Sequence, residues 1–377
     1  ISPPASWPHP AERVVEYLIS QRVGYVWVIH PGGIAMRRVA GWQTLGPIVD
    51  AWRADLAKPD LSPDALKRWQ ARAQRLHVEL IGPIEDLITP AAGLIIAPDG
   101  PLHDLPFEAF IKPSRERDPA YLFESFETRY TPSAAALMRA PRMASGDQAL
   151  VMGAPTLDAD ALSLLSLSQP NDQISAQLSK PSFATLPGAR AEALRAGAQL
   201  SSLPGLRVQT LIGPRASEAA LRRADLTRLR YLHISTHGLS DALPWSVPQP
   251  VAVRQPALLL AREDDAPEDG VLRLTEILRW RTGAELVVLS GCTTGRGWEE
   301  LGAGAYGLAG AFLVAGAHSV VASAWDVSDE ATAALMQGFY THLAAGASPA
   351  AALRRARKRV VTPQRPPFYW AAFRIVT

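Results

Sequence analysis

The chain has 377 residues, 47% of them hydrophobic, and a formal charge of +2 at pH 7. That length and apolar content admit two domains of ordinary size with substantial cores, which excludes wholesale disorder. The near-neutral balance gives no long-range field toward nucleic acid or anionic lipid, and the single cysteine, Cys292, excludes an internal disulfide and a multi-cysteine zinc site.

A reducing compartment, the cytoplasm, is expected from that cysteine usage. The chain opens on Ile1 instead of Met, which leaves room for a preceding region, and no signal peptide is visible. Residues 11–20 read as a helix, 25–29 as a strand, Pro31-Gly32-Gly33 as a turn and 34–39 as the returning strand of a hairpin. Two helices follow, over 45–56 and 63–76, the second with Leu66, Trp69, Ala73 and Leu76 at helical spacing. Residues 93–97 form a short buried strand that ends in the turn Pro98-Asp99-Gly100.

Residues 141–148 read as a linker, after which strands and helices alternate. Strands are expected over 149–153 and 207–212, with helices over 189–200 and 217–225, Ser217 serving as N-cap. The next strand, 231–236, runs straight into His237-Gly238. A proline-rich loop, a strand over 257–261, and a helix over 274–280 precede the segment that organises the chain, residues 284–326. There an apolar run over 286–289 leads to Ser290, Gly291 and Cys292; a Gly/Ala-rich helical stretch follows, then a β-branched run over 319–325. This is a βαβ unit whose parallel strands are buried on both faces and need not alternate polar with apolar. The run 307–325 mimics a membrane span in length, but a helix ending at Gly316 and a strand from Ser319 explain the same residues, so no membrane contact is expected. Helices over 329–345 and 348–360 and a strand within 369–376 close the chain. The basic cluster Arg354, Arg355, Arg357, Lys358 and Arg359 reads as a solvated helix end, not a nucleic-acid patch.

His237 and Cys292 each sit just past the C-terminal end of an apolar strand and beside a glycine. In an open α/β sheet that edge is where ligands bind. A thiol is the side chain that is appreciably nucleophilic near neutral pH, and an imidazole beside it can hold the thiolate and protonate a leaving amine. The N–H groups of Gly238 and Cys292 are the natural donors to an oxyanion. Either residue alone is explained as well by structure, a buried free cysteine or a hydrogen-bonded histidine. His233 lies deeper in the same strand and takes a structural role, and His103 reads as a turn histidine.

The blocks YLHISTHG, DGVLRLTEIL, LSGCTTG, GLAGAFLVAGAHSVVASAWDVSDEAT and PPFYWAAF, with IIAPDGPLHDLPFEAF and YTPSAAAL in the first half, resemble a CHAT domain. The resemblance runs from about residue 93 to the C-terminus and more weakly before it. CHAT domains belong with the caspase and separase cysteine peptidases, so the resemblance implies His237 and Cys292 as a dyad acting on a peptide bond. Two departures stand out. Gly291 replaces a common alanine, and Gly302-Ala303-Gly304 replaces a common Gly-Glu-Gly.

Trp325, Asp326 and Asp329 should lie near the same sheet edge and are candidates for the pocket that reads the residue before the cleaved bond. Two acids there suit a basic side chain, while an N-cap role explains Asp329 equally well. Gly302 to Gly307 also satisfies GxGxxG, but Gly291 to Leu301 separate it from the strand end where a dinucleotide fingerprint needs its glycines.

The expected fold is therefore α/β. A caspase-like, mostly parallel sheet flanked by helices fills 147–377, and a smaller α/β region, a candidate degenerate caspase-like half, fills 1–146. The expected function is a His-Cys cysteine endopeptidase needing no metal or organic cofactor, acting on a protein or peptide and regulated by a partner protein or an upstream repeat domain. The alternatives are a catalytically silent scaffold and, more remotely, a nucleotide-binding protein.

Overall fold

The computed structural model describes residues 11–57, 62–88, 93–113, 119–138, 146–158, 186–239, 256–291, 307–325, 329–362 and 365–377. They group into two units. The first joins residues 1–141 to 348–375, and the second holds 142–347. The division near residue 141 falls at the start of the stretch read as a linker. The last helix, Pro349–Val360, and residues 373–375 of the last strand, Phe373–Val376, group with the first unit.

In the first unit β1 (Arg13–Ile19), β2 (Val23–His30) and β3 (Gly33–Ala40) form an antiparallel meander. On its other side β1 pairs in parallel with β4 (Gly93–Ala97). The helix expected over 11–20 is thus a strand. Val14 and Val15 are both fully buried, on successive and therefore opposite faces, which one helical stripe cannot achieve. Pairing on both edges overrode a local pattern that also fits a helix. Helices α1 (Trp42–Ala57) and α2 (Pro63–Leu76) follow, locked by an edge-on Trp52–Trp69 contact with ring centroids 4.6 Å apart. The buried positions of α2 are Ala65, Trp69, Ala73 and Leu76, Ala65 taking the place expected for Leu66. The short strands β5 (Ile111–Lys112) and β6 (Ala120–Tyr121) pair with each other, and β7 (Glu127–Tyr130) extends the sheet in parallel beyond β4.

The basic end of the last helix is not wholly solvated. Arg357 is 2% exposed, donates to Oε1 of Glu108 at 2.6 Å and also bonds the Phe373 carbonyl. Glu108, fully buried, accepts in addition from the Tyr130 hydroxyl. Arg354 donates to the Phe123 carbonyl at 2.9 Å. A buried charge is tolerable only when its partners are in place, and these tie residues far apart in the chain into one core.

The second unit begins with β8 (Gln148–Pro155), α4 (Pro187–Leu200), β9 (Arg207–Gly213) and α5 (Glu218–Arg223), the last capped by Ser217, whose Oγ accepts from Ala220 N–H at 3.0 Å; α3 is the short helix Leu122–Ser125 of the first unit. Next come β10 (Leu229–Ser235), a small antiparallel sheet of β11 (Gly238–Leu239), β12 (Ala257–Leu259) and β13 (Val271–Arg273), and α6 (Leu274–Ile277). The unit continues with β14 (Leu286–Ser290), α7 (Gly307–Ala315), β15 (Ser319–Ser323) and α8 (Asp329–Ala344). Its main strands are all parallel in the order β9-β8-β10-β14-β15. The chain moves outward from β8 in one direction and from β10 in the other. Right-handed crossovers then put α4 and α7 on opposite faces, which is why β10, β14 and β15 are buried along almost their whole length. No helix among the described residues is long and apolar enough to cross a membrane.

Glu108→Ala leaves Arg357 buried without its carboxylate, and urea unfolding should show a loss of about 3–5 kcal/mol. A loss below about 1 kcal/mol would mean that water or another group replaces Glu108.

Candidate active site

The strand order reverses between β8 and β10, the topological switch point where open α/β sheets bind ligands at their carboxyl ends. Three strand ends meet along this edge. Gly153 of β8 stands opposite Ser235 of β10, and Ser235 stands opposite Ser290 of β14. Beyond Gly153 the pairing of β8 with β9 shifts register at Ala154, whose φ of 45° lies in the left-handed region and costs about 1–2 kcal/mol. His237 follows Ser235 by two residues, as Cys292 follows Ser290. The two strands expected to be neighbours are adjacent, parallel and in register at their tips; Cys292 itself lies outside the described residues.

The exit of β10 is pinned by bonds to β14 and to β12. Thr236 donates its N–H to the Ser290 carbonyl at 3.1 Å and its hydroxyl to the Leu259 carbonyl at 2.5 Å, while Leu259 N–H donates to the His237 carbonyl at 3.0 Å. His237 is 5% exposed. Because the His237 carbonyl accepts from Leu259 of β12, the Gly238 N–H on the opposite side of the same trans peptide points away from β12. That is the orientation a donor to an external oxyanion needs. On the far side of β14, Ser323 Oγ donates to the Gly291 carbonyl at 2.5 Å, fixing the residue before the cysteine.

Trp325 is buried two residues beyond β15, the neighbour of β14 on the side away from β10. Asp326 lies outside the described residues, and Asp329 opens α8. The GxGxxG stretch before Gly307 is also outside them. Among the described residues no group of three or more His, Cys, Asp or Glu is placed to hold a metal ion.

Sequence reasoning missed the polar group beneath the sheet. Glu192 of α4 is 5% exposed, and its Oε2 accepts from Ser290 Oγ at 2.9 Å and from Ser235 Oγ at 3.3 Å. His233 Nε2 is 3.7 Å from its Oε1. Nδ1 of His233 is 2.8 Å from the Tyr340 hydroxyl. Burial, with Glu192 adding to it, holds the Tyr340 pKa well above the ordinary tyrosine value. Burial pushes the His233 pKa down to about 3, which keeps the ring neutral and makes it structural. His103, in the first unit, is lowered to about 4 by burial, reinforced by Arg374. The signal for Glu192 was present: the buried stripe Glu192, Ala196, Leu200 carries an acid where helical spacing demands an apolar residue.

The CHAT domain model matches residues 70–377. Tetratricopeptide repeat protein 28 of Mus musculus is 26% identical over 343 residues, and its Homo sapiens counterpart 26% over 333; each alignment covers 80% of this chain. The chain spans 13% of the length of these curated relatives. Among solved structures, separase from the Saccharomyces cerevisiae separase-securin complex superposes with a TM-score of 0.59 at 10% identity, covering 97% of this chain and 30% of that one. The shared fold is the caspase-like α/β arrangement, a mostly parallel sheet flanked by helices.

Unfolded histidine takes up its proton near pH 6.5 whereas buried His233 does so near 3, so between those values the unfolded state holds one more proton and stability falls as pH falls. Replacing it, His233→Asn, should remove about one proton from the uptake on unfolding between pH 6 and 4, read from denaturation midpoints across pH. An unchanged slope would mean that His233 is already protonated in the folded chain.

Proposed function

Because the chain belongs to the CHAT domain family, we propose that it is a cysteine endopeptidase that uses His237 and Cys292 as its dyad. The observation that supports this is the in-register adjacency of β10 and β14, whose tips Ser235 and Ser290 are each followed two positions later in the sequence by a member of the proposed dyad. The Cys292 thiolate attacks the peptide carbonyl carbon, forming the C–S bond, while His237 holds the thiol proton. The Gly238 and Cys292 N–H groups receive the oxyanion. On collapse the C–N bond breaks, and the imidazolium protonates the departing amine. Water, deprotonated by His237, then hydrolyses the thioester and returns the thiol. The substrate lies extended, adding to a strand edge. Trp325, Asp326 and Asp329 form the pocket for the residue before the scissile bond, the acids favouring a basic side chain.

Regulation by a partner protein or by a repeat domain elsewhere in a longer polypeptide belongs to the same proposal. It draws support from the curated relatives, which are named as repeat proteins and of which this chain spans a small part. Those same relatives favour a second reading, a silent scaffold module of a larger assembly. The smaller first unit fits a degenerate, non-catalytic half.

A peptidyl electrophile should label the wild type and not Cys292→Ala, and His237→Ala should slow labelling by about 10²-fold or more. Equal labelling of wild type and His237→Ala, or none of either with partner proteins present, would favour the scaffold. In a peptide library Asp326→Asn should weaken the preference for a basic residue; an unchanged profile would remove Asp326 from the pocket.

A further inference from the structure

We propose that Glu192 is a positioning residue for the dyad: one carboxylate oxygen, reached by Ser235 and Ser290 together, ties the tips of β10 and β14 from beneath the sheet. This rests on the proposed His237–Cys292 reading and deepens it. Both serines end their strands, and each is two residues before a member of the dyad. Ser290 Oγ donates at 2.9 Å and Ser235 Oγ at 3.3 Å to the same Oε2. A slip of either strand along its axis breaks one of these two bonds and leaves a buried polar group short of a partner.

The helix that carries Glu192 is held close to the sheet by small residues. A Cβ on Gly153 would stand 2.4 Å from Ala193 Cβ and 2.9 Å from the Ala189 carbonyl oxygen, so only glycine allows α4 this near to β8. On the same helix a Cβ on Gly197 would meet Thr210 Oγ1 of β9 at 2.3 Å. Glu192 thus reaches the serines from a backbone with little freedom to retreat. Its other oxygen faces neutral His233, which Tyr340 holds in place, so the imidazole does not draw the carboxylate away as a cation would.

The bonds at Ser290, Thr236 and Gly291 act as a set. Glu192 holds the Ser290 side chain, Thr236 N–H holds the Ser290 carbonyl, and Ser323 holds the Gly291 carbonyl. The tips of two neighbouring strands and one helix therefore fix the two residues that lead into Cys292. Glu192 touches neither substrate nor reacting atoms, so its effect has to be read at the dyad.

Two readouts test this without a known substrate. Native-state exchange of the Thr236 amide reports the tie directly. The pH dependence of iodoacetamide alkylation reports Cys292 alone, because the chain has one cysteine. Glu192→Ala should speed Thr236 exchange about tenfold and shift the acid limb of the alkylation profile toward that of His237→Ala. Glu192→Gln, which keeps one acceptor oxygen, should fall between, and Arg195→Ala, exposed on the same helix, should match the wild type. Wild-type exchange in folded Glu192→Ala would overturn the tie; faster exchange with an unmoved alkylation limb would overturn its action on the dyad. If the wild-type and His237→Ala profiles coincide, the dyad reading fails, and the exchange result alone then decides whether the tie exists.

Discussion

The second unit depends on one constraint, the parallel pairing of β10 and β14 with Ser235 opposite Ser290. Parallel strands bury both faces and cannot be joined by a tight turn, so the chain between them must leave the sheet, and here it builds the small sheet of β11, β12 and β13. That excursion is not incidental to the edge it leaves from. Its strand β12 returns hydrogen bonds to Thr236 and His237 and so fixes the first residues beyond the strand tip. A one-residue slip between β10 and β14 would reverse which face each side chain meets. Because helices cover both faces with different chemistry, that slip would drive apolar side chains toward Glu192 and the serines into hydrocarbon.

The two units satisfy their buried carboxyl groups in different ways. In the first, Glu108 is matched by Arg357, a true ion pair completed by the Tyr130 hydroxyl and the Phe373 carbonyl. In the second, Glu192 is met by hydroxyls and a neutral imidazole. An ion pair is strong only when both members stay put, and it links segments remote in sequence, which suits a core that has to recruit the last helix. Hydroxyls on strand tips are short and directional, which suits registration of two neighbouring strands. Each arrangement follows from what lies around the acid.

Much of this is legible in the residues themselves. The apolar runs at 231–236, 286–289 and 319–325 announce buried parallel strands, and the glycines beside His237 and Cys292 mark their ends. Residues 11–20 mislead because five or six apolar residues at mixed spacing satisfy a helix or a doubly buried strand, and only the neighbouring strands decide between them. Arg357 misleads for a related reason. Charge at a helix C-terminus is ordinarily solvated, but Arg357 shares a stripe with Leu353 and Val360 and is carried inward with them. Glu192 belongs to the same class of exception. A charged residue on the buried stripe of an amphipathic helix contradicts the local pattern, and such contradictions are where a fold records a demand from elsewhere.

That demand explains why the acid under the strand tips comes from α4 and not from a loop. A loop carboxylate could reach Ser290 but would lose side-chain and backbone entropy on being held there. A helix seated on Gly153 has already lost its backbone freedom on folding, so the remaining cost is that of one side chain. The small residues along α4, Ala189, Ala193 and Gly197, therefore do more than fill space: they set the helix at the one height from which a glutamate spans two strands. Enlarging any of them lifts the carboxylate from both serines together, and the coupling between helix packing and strand registration follows from geometry alone.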